Sequence, residues 1–271
     1  MPGQARADRR GRLSYTPPVC LIVVAHRVSE RFPLVIAANR DEDHLRPTRA
    51  AHRWDDAPDV IGGRDLLAGG SWLAIRANGR WAAVTNMRGS AKTPDSRSRG
   101  ALVAGFVLGD ASPFDYASAV AREEDAYAGF HLLAGVAGES LAYFATGMEA
   151  ARELAAGIHG VSNGPPEAQW VKVERGVAAM RESLTRDDLT SSLLEFFGTP
   201  TPDEPIEHSV FVLGERYGTR SSTAITVGDD GVQVIEQNWL PAHSLALPIS
   251  TTSSLESLRS GRVAFFIPSR A

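Results

Sequence analysis

Residues 19–25 form a continuous, β-branched apolar run, the pattern of a strand buried on both faces. A polar turn around Ser29 and Glu30 separates it from a second run over 33–38. The two predict a hairpin whose first strand starts at Cys20. Runs at 71–75 and 81–85 flank Asn78-Gly79, and an Asn-Gly pair between apolar segments is a strong hairpin signal. A third pair spans 130–136 and 140–145. Helical spacing marks 100–108, 113–124, 167–183 and 189–197, the third with Trp170, Val173, Val177 and Met180 on one face. Residues 160–166 read as a turn cluster and 199–205 as a surface loop. Strands are expected at 208–213, 222–227 and 231–235, and no element is assigned past Trp239. Roughly eight or nine strands in hairpin pairs, with helices grouped in the middle, argue against a doubly wound parallel sheet. Two stacked antiparallel sheets covered by helices fit the pattern.

Residues 1–18 are rich in Arg and Pro and lack the apolar run of a secretory signal. They are read as a disordered leader, or as the result of a start written too early. Residues 19–239 are expected to form a single domain, and 240–271 a tail of unclear structure. The chain has 271 residues, 43% of them hydrophobic and 22% charged, with 28 Lys+Arg against 32 Asp+Glu. A formal charge of -4 offers no bulk attraction to nucleic acid or an anionic membrane. No stretch reaches the roughly 18–20 apolar residues of a membrane span, so the expected location is cytoplasmic. A single cysteine excludes an intramolecular disulfide and a cysteine zinc cage.

Most catalytic signatures are absent. The seven histidines form no zinc-binding pair, and the chain has no G-x-S-x-G elbow, Walker loop or dinucleotide fingerprint. What stands out is Asn39-Arg40-Asp41-Glu42, four polar residues that end an apolar strand abruptly. One reading is a strand end with a surface ion pair. The other places Asp41 beside Cys20, where a carboxylate orients an amine or another cation. Cys20 is likewise open between a buried core thiol and a reactive one.

The segment from Cys20 through Leu34 to Asn39-Arg40-Asp41-Glu42 resembles the opening of the NRDE family, which is named for this tetrapeptide and includes the transport-and-Golgi-organisation proteins. The likeness continues through Arg46-Pro47, Gly69–Leu73, Ala83–Asn86, Arg99-Gly100, Tyr127–Phe130, Gly160–Asn163 and Tyr217–Thr223, in order, over residues 19–239. The resemblance implies an α+β fold, an αββα sandwich of the N-terminal nucleophile hydrolase type. More distantly the pattern is similar to cysteine amidases that cleave conjugated bile acids and penicillin V. In those enzymes the first residue is Cys and its own α-amine, with an ordinary pKa near 8, is the base.

Carried over by position, the resemblance makes Cys20 the nucleophile and Asp41 the residue that holds it and its amine. Asn86 supplies an oxyanion-hole backbone amide, Asn163 completes the hole with its side chain, and Arg220 supports the nucleophile. Oriented donors of this kind are each worth about 3 kcal/mol of barrier. The amidases place an Arg where this chain has Ala38. Arg40 is the candidate to compensate, though strand alternation is expected to point it in a different direction.

The mechanism requires Cys20 to be the first residue, because an internal amide nitrogen is no base. Cleavage of the leader meets this requirement. So does initiation at position 19, since Val is also read from the alternative start codon GTG. The expected function is hydrolysis of a small-molecule amide through Cys20, with no cofactor. Substrate choice would lie in loops 88–98 and 199–207, and oligomeric state is left open. The alternative, also implied by the family, is non-catalytic handling of haem or of lipid and acyl-CoA, with His44, His52, His131 or Cys20 as a haem ligand.

Overall fold

The computed structural model describes residues 20–268 except 91, 92, 94, 169, 202–204, 206, 207 and 240–258. The expected leader at 1–18 and most of the expected tail lie outside the described residues.

The first hairpin forms as expected from β1 (Leu21–His26) and β2 (Leu34–Asp43). Their register pairs Leu21 with Asn39 and Val23 with Ala37, which brings Cys20 to the tetrapeptide end of β2. A six-stranded antiparallel sheet grows outward from this pair. It runs β10 (Gly157–Val161), β1, β2, β11 (Tyr217–Gly228), β12 (Gly231–Trp239) and β13 (Arg259–Pro268). The second sheet has seven strands in chain order: β3 (Thr48–Trp54), β4 (Ala57–Asp65), β5 (Leu73–Arg76), β6 (Arg80–Asn86), β7 (Phe130–Val136), β8 (Ser140–Ala145) and β9 (Arg152–Glu153). Gly79 takes a φ of +82° in the β5–β6 turn, a conformation its missing Cβ permits.

Three apolar layers hold the sandwich together. Ile22, Val24 and Ile36 of one sheet meet Ile61, Leu73 and Trp81 of the other between the sheets. On the outer face of the seven-stranded sheet, α1 (Gly100–Leu108) and α2 (Pro113–Ala121) bury Val103, Phe106 and Val120 against Phe130 and Phe144. On the opposite outer face, α3 (Val171–Ser183) and α4 (Leu189–Phe197) pack Met180, Leu193 and Phe197 onto Leu21, Val23 and Val35. Each fully buried side chain of this size contributes roughly 1.5–3 kcal/mol of transfer free energy. The result is the expected four-layer αββα sandwich. Among the described residues, no helix is long and apolar enough to cross a membrane.

Several local expectations are overturned. Residues 208–213 are not a strand. Val210, Phe211 and Val212 are buried, but the segment is irregular, with Val212 bonded to Thr219 through both its backbone groups. β3, β4, β9 and β10 were not anticipated, and β13 forms within the stretch where no element was assigned.

Arg40 also departs from expectation. The even-numbered residues Ile22, Val24, Ile36 and Ala38 all face the inter-sheet layer, while odd-numbered Leu21, Val23, Val35 and Ala37 face the helices. Two residues on from Ala38, Arg40 shares its face, and it is 6% exposed. Asp41 falls on the helix side.

Candidate functional site

A cleft of about 210 Å³ opens where the ends of the two sheets meet the start of α1. Cys20, Arg40 and Asp41 line it from one sheet, Trp72 and Asn86 from the other, and Arg99 from the residue before α1. Gly70 makes this meeting possible. Its φ is +76°, and a Cβ there would lie 2.3 Å from the backbone of Gly100. Ser71 N–H donates to the Gly100 carbonyl at 3.1 Å, fastening α1 to the sheet edge.

Cys20 is half-buried, and its thiol donates to the Asp41 carbonyl at 3.8 Å. Burial, and next the nearby Asp41 carboxylate, push the thiol up to about 11, so it is protonated at neutral pH. Asp41 is 3% exposed. Its Oδ1 accepts from the Thr219 hydroxyl at 2.6 Å, and its backbone carbonyl accepts from Tyr217 OH at 2.7 Å. Oδ2 accepts no hydrogen bond among the described residues. Burial raises the Asp41 carboxyl to about 6, opposed first by the charge of Lys172 and then by the Thr219 bond. Lys172 is itself 1% exposed on α3, a degree of burial rare for lysine.

Asn163 is fully buried and directs its side-chain amide to the backbone carbonyl of Asn86. The neighbouring Ser162 hydroxyl donates to the Cys20 carbonyl at 3.1 Å. Thus Cys20, Asp41 and Asn86 share the cleft, and Asn163 stands one hydrogen bond behind it. Arg220 does not line this cleft. A bulge between Thr219 and Ser221 sends it to a neighbouring cavity of about 340 Å³, which also touches Arg40 and Trp72. There its guanidinium donates to the Arg46 carbonyl at 2.6 Å and to Thr48 Oγ1 at 3.2 Å, bracing the turn after the tetrapeptide.

Four residues of the site escaped the sequence reading. Thr219 and Tyr217 sit in the motif over 217–223, and Arg99 precedes a predicted helix, so each had a positional signal without an assigned role. Lys172 had none, because one Lys on a helix reads as solvated surface.

The family described as Transport and Golgi organisation 2 matches residues 19–241. The chain belongs to this family. It is the family expected from the tetrapeptide, under its other name. Among curated relatives, this family member is 34% identical over 233 residues to the Transport and Golgi organization protein 2 homolog of Bos taurus, covering 74% of this chain and 84% of that one. It is 31% identical over 231 residues to the Homo sapiens homolog, with the same coverage of 74% and 84%.

Similar solved structures include a penicillin V acylase from Agrobacterium tumefaciens, with a TM-score of 0.47 at 11% identity over 81% of this chain and 83% of that one. Another is the Caenorhabditis elegans ortholog of N-acylethanolamine-hydrolyzing acid amidase, with a TM-score of 0.46 at 13% identity over 92% and 100%.

Of the residues expected as haem ligands, Cys20 lines the cleft and His44, His52 and His131 do not. His131 is 3% exposed, with Nε2 on the Gly164 carbonyl and Nδ1 on Tyr143 OH, both at 2.8 Å, and burial lowers its pKa to about 4. His44 Nε2 meets the Gly214 carbonyl at 3.1 Å, and His52 Nδ1 the Ala50 carbonyl at 2.8 Å. A cavity of about 1030 Å³ elsewhere has neither His nor Cys in its lining.

Proposed function

We propose that this protein hydrolyses a small amide, with Cys20 as nucleophile and the Cys20 α-amine, once freed, as base. The observation that carries this reading is Asp41 Oδ2, a buried carboxylate oxygen without a hydrogen-bond donor beside the cysteine. A freed α-ammonium supplies that donor, and its charge favours the thiolate.

Proton transfer supports the same arrangement. Asp41, near 6, is poorly matched to a thiol near 11, whereas an α-amine near 8 lies much closer. The thiolate attacks the amide carbonyl, and the oxyanion faces the edge at Asn86, which Asn163 holds from behind. The amine returns its proton to the leaving nitrogen, and water then cleaves the thioester.

The test compares the full chain with a chain made to begin at Cys20, on a panel of small acyl amides followed by mass spectrometry. Turnover is expected only from the second, abolished by Cys20→Ala and partly retained by Cys20→Ser. A folded chain with a free Cys20 amine that cleaves none of the panel, or a Cys20→Ala variant at full rate, overturns the reading. So does protein from the native host that retains residues 1–19 by intact mass.

A further inference from the structure

The cleft holds four arginines, Arg40, Arg46, Arg97 and Arg99, and their pairing is unequal. Arg46 meets Asp65 at 2.7 Å and Glu42 at 3.6 Å. Arg40 meets Glu42 at 3.7 Å and sits over the Trp72 ring at 4.1 Å. Arg97 pairs with Glu123 at 2.7 Å. Asp41, the remaining carboxylate of the cleft, is held by Thr219 and faced by Lys172.

Arg99 is left over. Among the described residues, no carboxylate lies within ion-pairing distance of its guanidinium, whose Nη1 donates to the Gly129 carbonyl at 3.0 Å. It is nonetheless partly buried, and burial is the largest influence on its pKa, lowering it. The charge of Glu42 acts on it from beyond ion-pairing distance, and Arg99 lines the same cleft as Cys20. The first turn of α1, which Arg99 precedes, contains no acidic residue to neutralise it. A partly desolvated guanidinium without a paired carboxylate is costly to the fold, and its planar fork matches a carboxylate.

We propose that Arg99 reads an anionic group on the molecule entering the cleft, so that the substrate of Cys20 is a compact amide carrying a carboxylate near the scissile bond. The cleavage half of this statement rests on the hydrolase reading above; the anion-binding half does not. A volume of about 210 Å³ is below the roughly 300–1,000 Å³ of sites for drug-sized ligands. That favours small acylated amino acids or monoamides of dicarboxylic acids over long conjugates.

Cys20 is the chain's one cysteine, so its alkylation reports on this cleft alone. Rates with anionic iodoacetate and neutral iodoacetamide are measured by intact mass on the full chain at one pH. Both reagents react with the same thiolate, so their ratio cancels its ionisation and reports the local potential. Arg99→Gln is expected to lower the iodoacetate-to-iodoacetamide ratio about tenfold, the low end of what focused charge does to local anion concentration. Arg99→Lys keeps the ratio, and high salt reduces it in the wild type. An unchanged ratio in a folded Arg99→Gln variant overturns the proposal.

A second measurement needs no variant. N-acetylglycine is expected to protect Cys20 from iodoacetamide better than N-acetylglycinamide, and equal protection overturns the proposal. Turnover confined to neutral amides sinks the anion reading and leaves the hydrolase standing. An Arg99-dependent ratio without any turnover does the reverse.

Discussion

Replacing Asp41 by Asn should stabilise the full-length protein at neutral pH and leave it little changed in acid. Burial raises the folded-state carboxyl to about 6 from an ordinary value of 3.8. At about 1.4 kcal/mol per pKa unit, the difference converts to about 3 kcal/mol. The folded chain binds this proton more tightly than the unfolded chain, so wild-type stability falls as pH rises from about 4 through about 6 and then levels. Asn carries no charge at any pH. Asp41→Asn should therefore match the wild type near pH 4 and exceed it by about 3 kcal/mol near pH 8. Urea unfolding followed by circular dichroism across that range measures the gap. A gap that is independent of pH, or that widens towards acid, refutes the reasoning. With Cys20 as a free N-terminus the gap should shrink, because the ammonium then pairs with the ionised carboxylate.

Gly70→Ala forces a Cβ into the Gly100 backbone at a positive φ, and should cost about 1–3 kcal/mol by thermal unfolding while slowing modification of Cys20 by altering the cleft wall. Trp81→Ala, at 1% exposure between the sheets, should destabilise by about 3–5 kcal/mol in urea without changing the slope. On the hydrolase reading, Asn163→Ala should lower kcat by about 10²–10³ with little change in KM, measured on whichever acyl amide the panel identifies. A loss confined to KM would remove Asn163 from the oxyanion site.

Hairpins with a clean apolar pattern and a turn signal were readable in the sequence. β1 with β2, β5 with β6 and β7 with β8 each carry an apolar run, and Asn78-Gly79 marks one turn directly. β3 and β4 were not, because Thr48–Trp54 alternates weakly between exposed and buried positions, and Gly62-Gly63 imitates a loop inside a strand. Residues 208–213 mislead in the opposite sense. Their apolar side chains are buried, but their backbone bonds go to Thr219 rather than to a strand ladder. Within the site, Cys20, Asp41 and Asn86 were legible from motif order: strand pairing brings Cys20 to Asp41, and stacking of the two sheets brings Asn86 to both. Arg99 and Lys172 were not, because their roles depend on which charges lie opposite across layers far apart in sequence. Arg40 faces the same side as Ala38, against the expectation, because residues two apart on a strand share a face.

The cleft draws Cys20, Arg40 and Asp41 from one sheet, Trp72 and Asn86 from the other and Arg99 from the start of α1, so neither half carries the site alone. During synthesis the cysteine emerges early, long before β11 delivers Thr219 to orient Asp41. A nascent or partly unfolded chain therefore exposes an ordinary thiol, without its partner carboxylate fixed or its anion-facing wall in place. On the hydrolase reading, turnover at Cys20 therefore requires complete assembly, and any disturbance that parts the two sheets, however remote from the cleft, abolishes it.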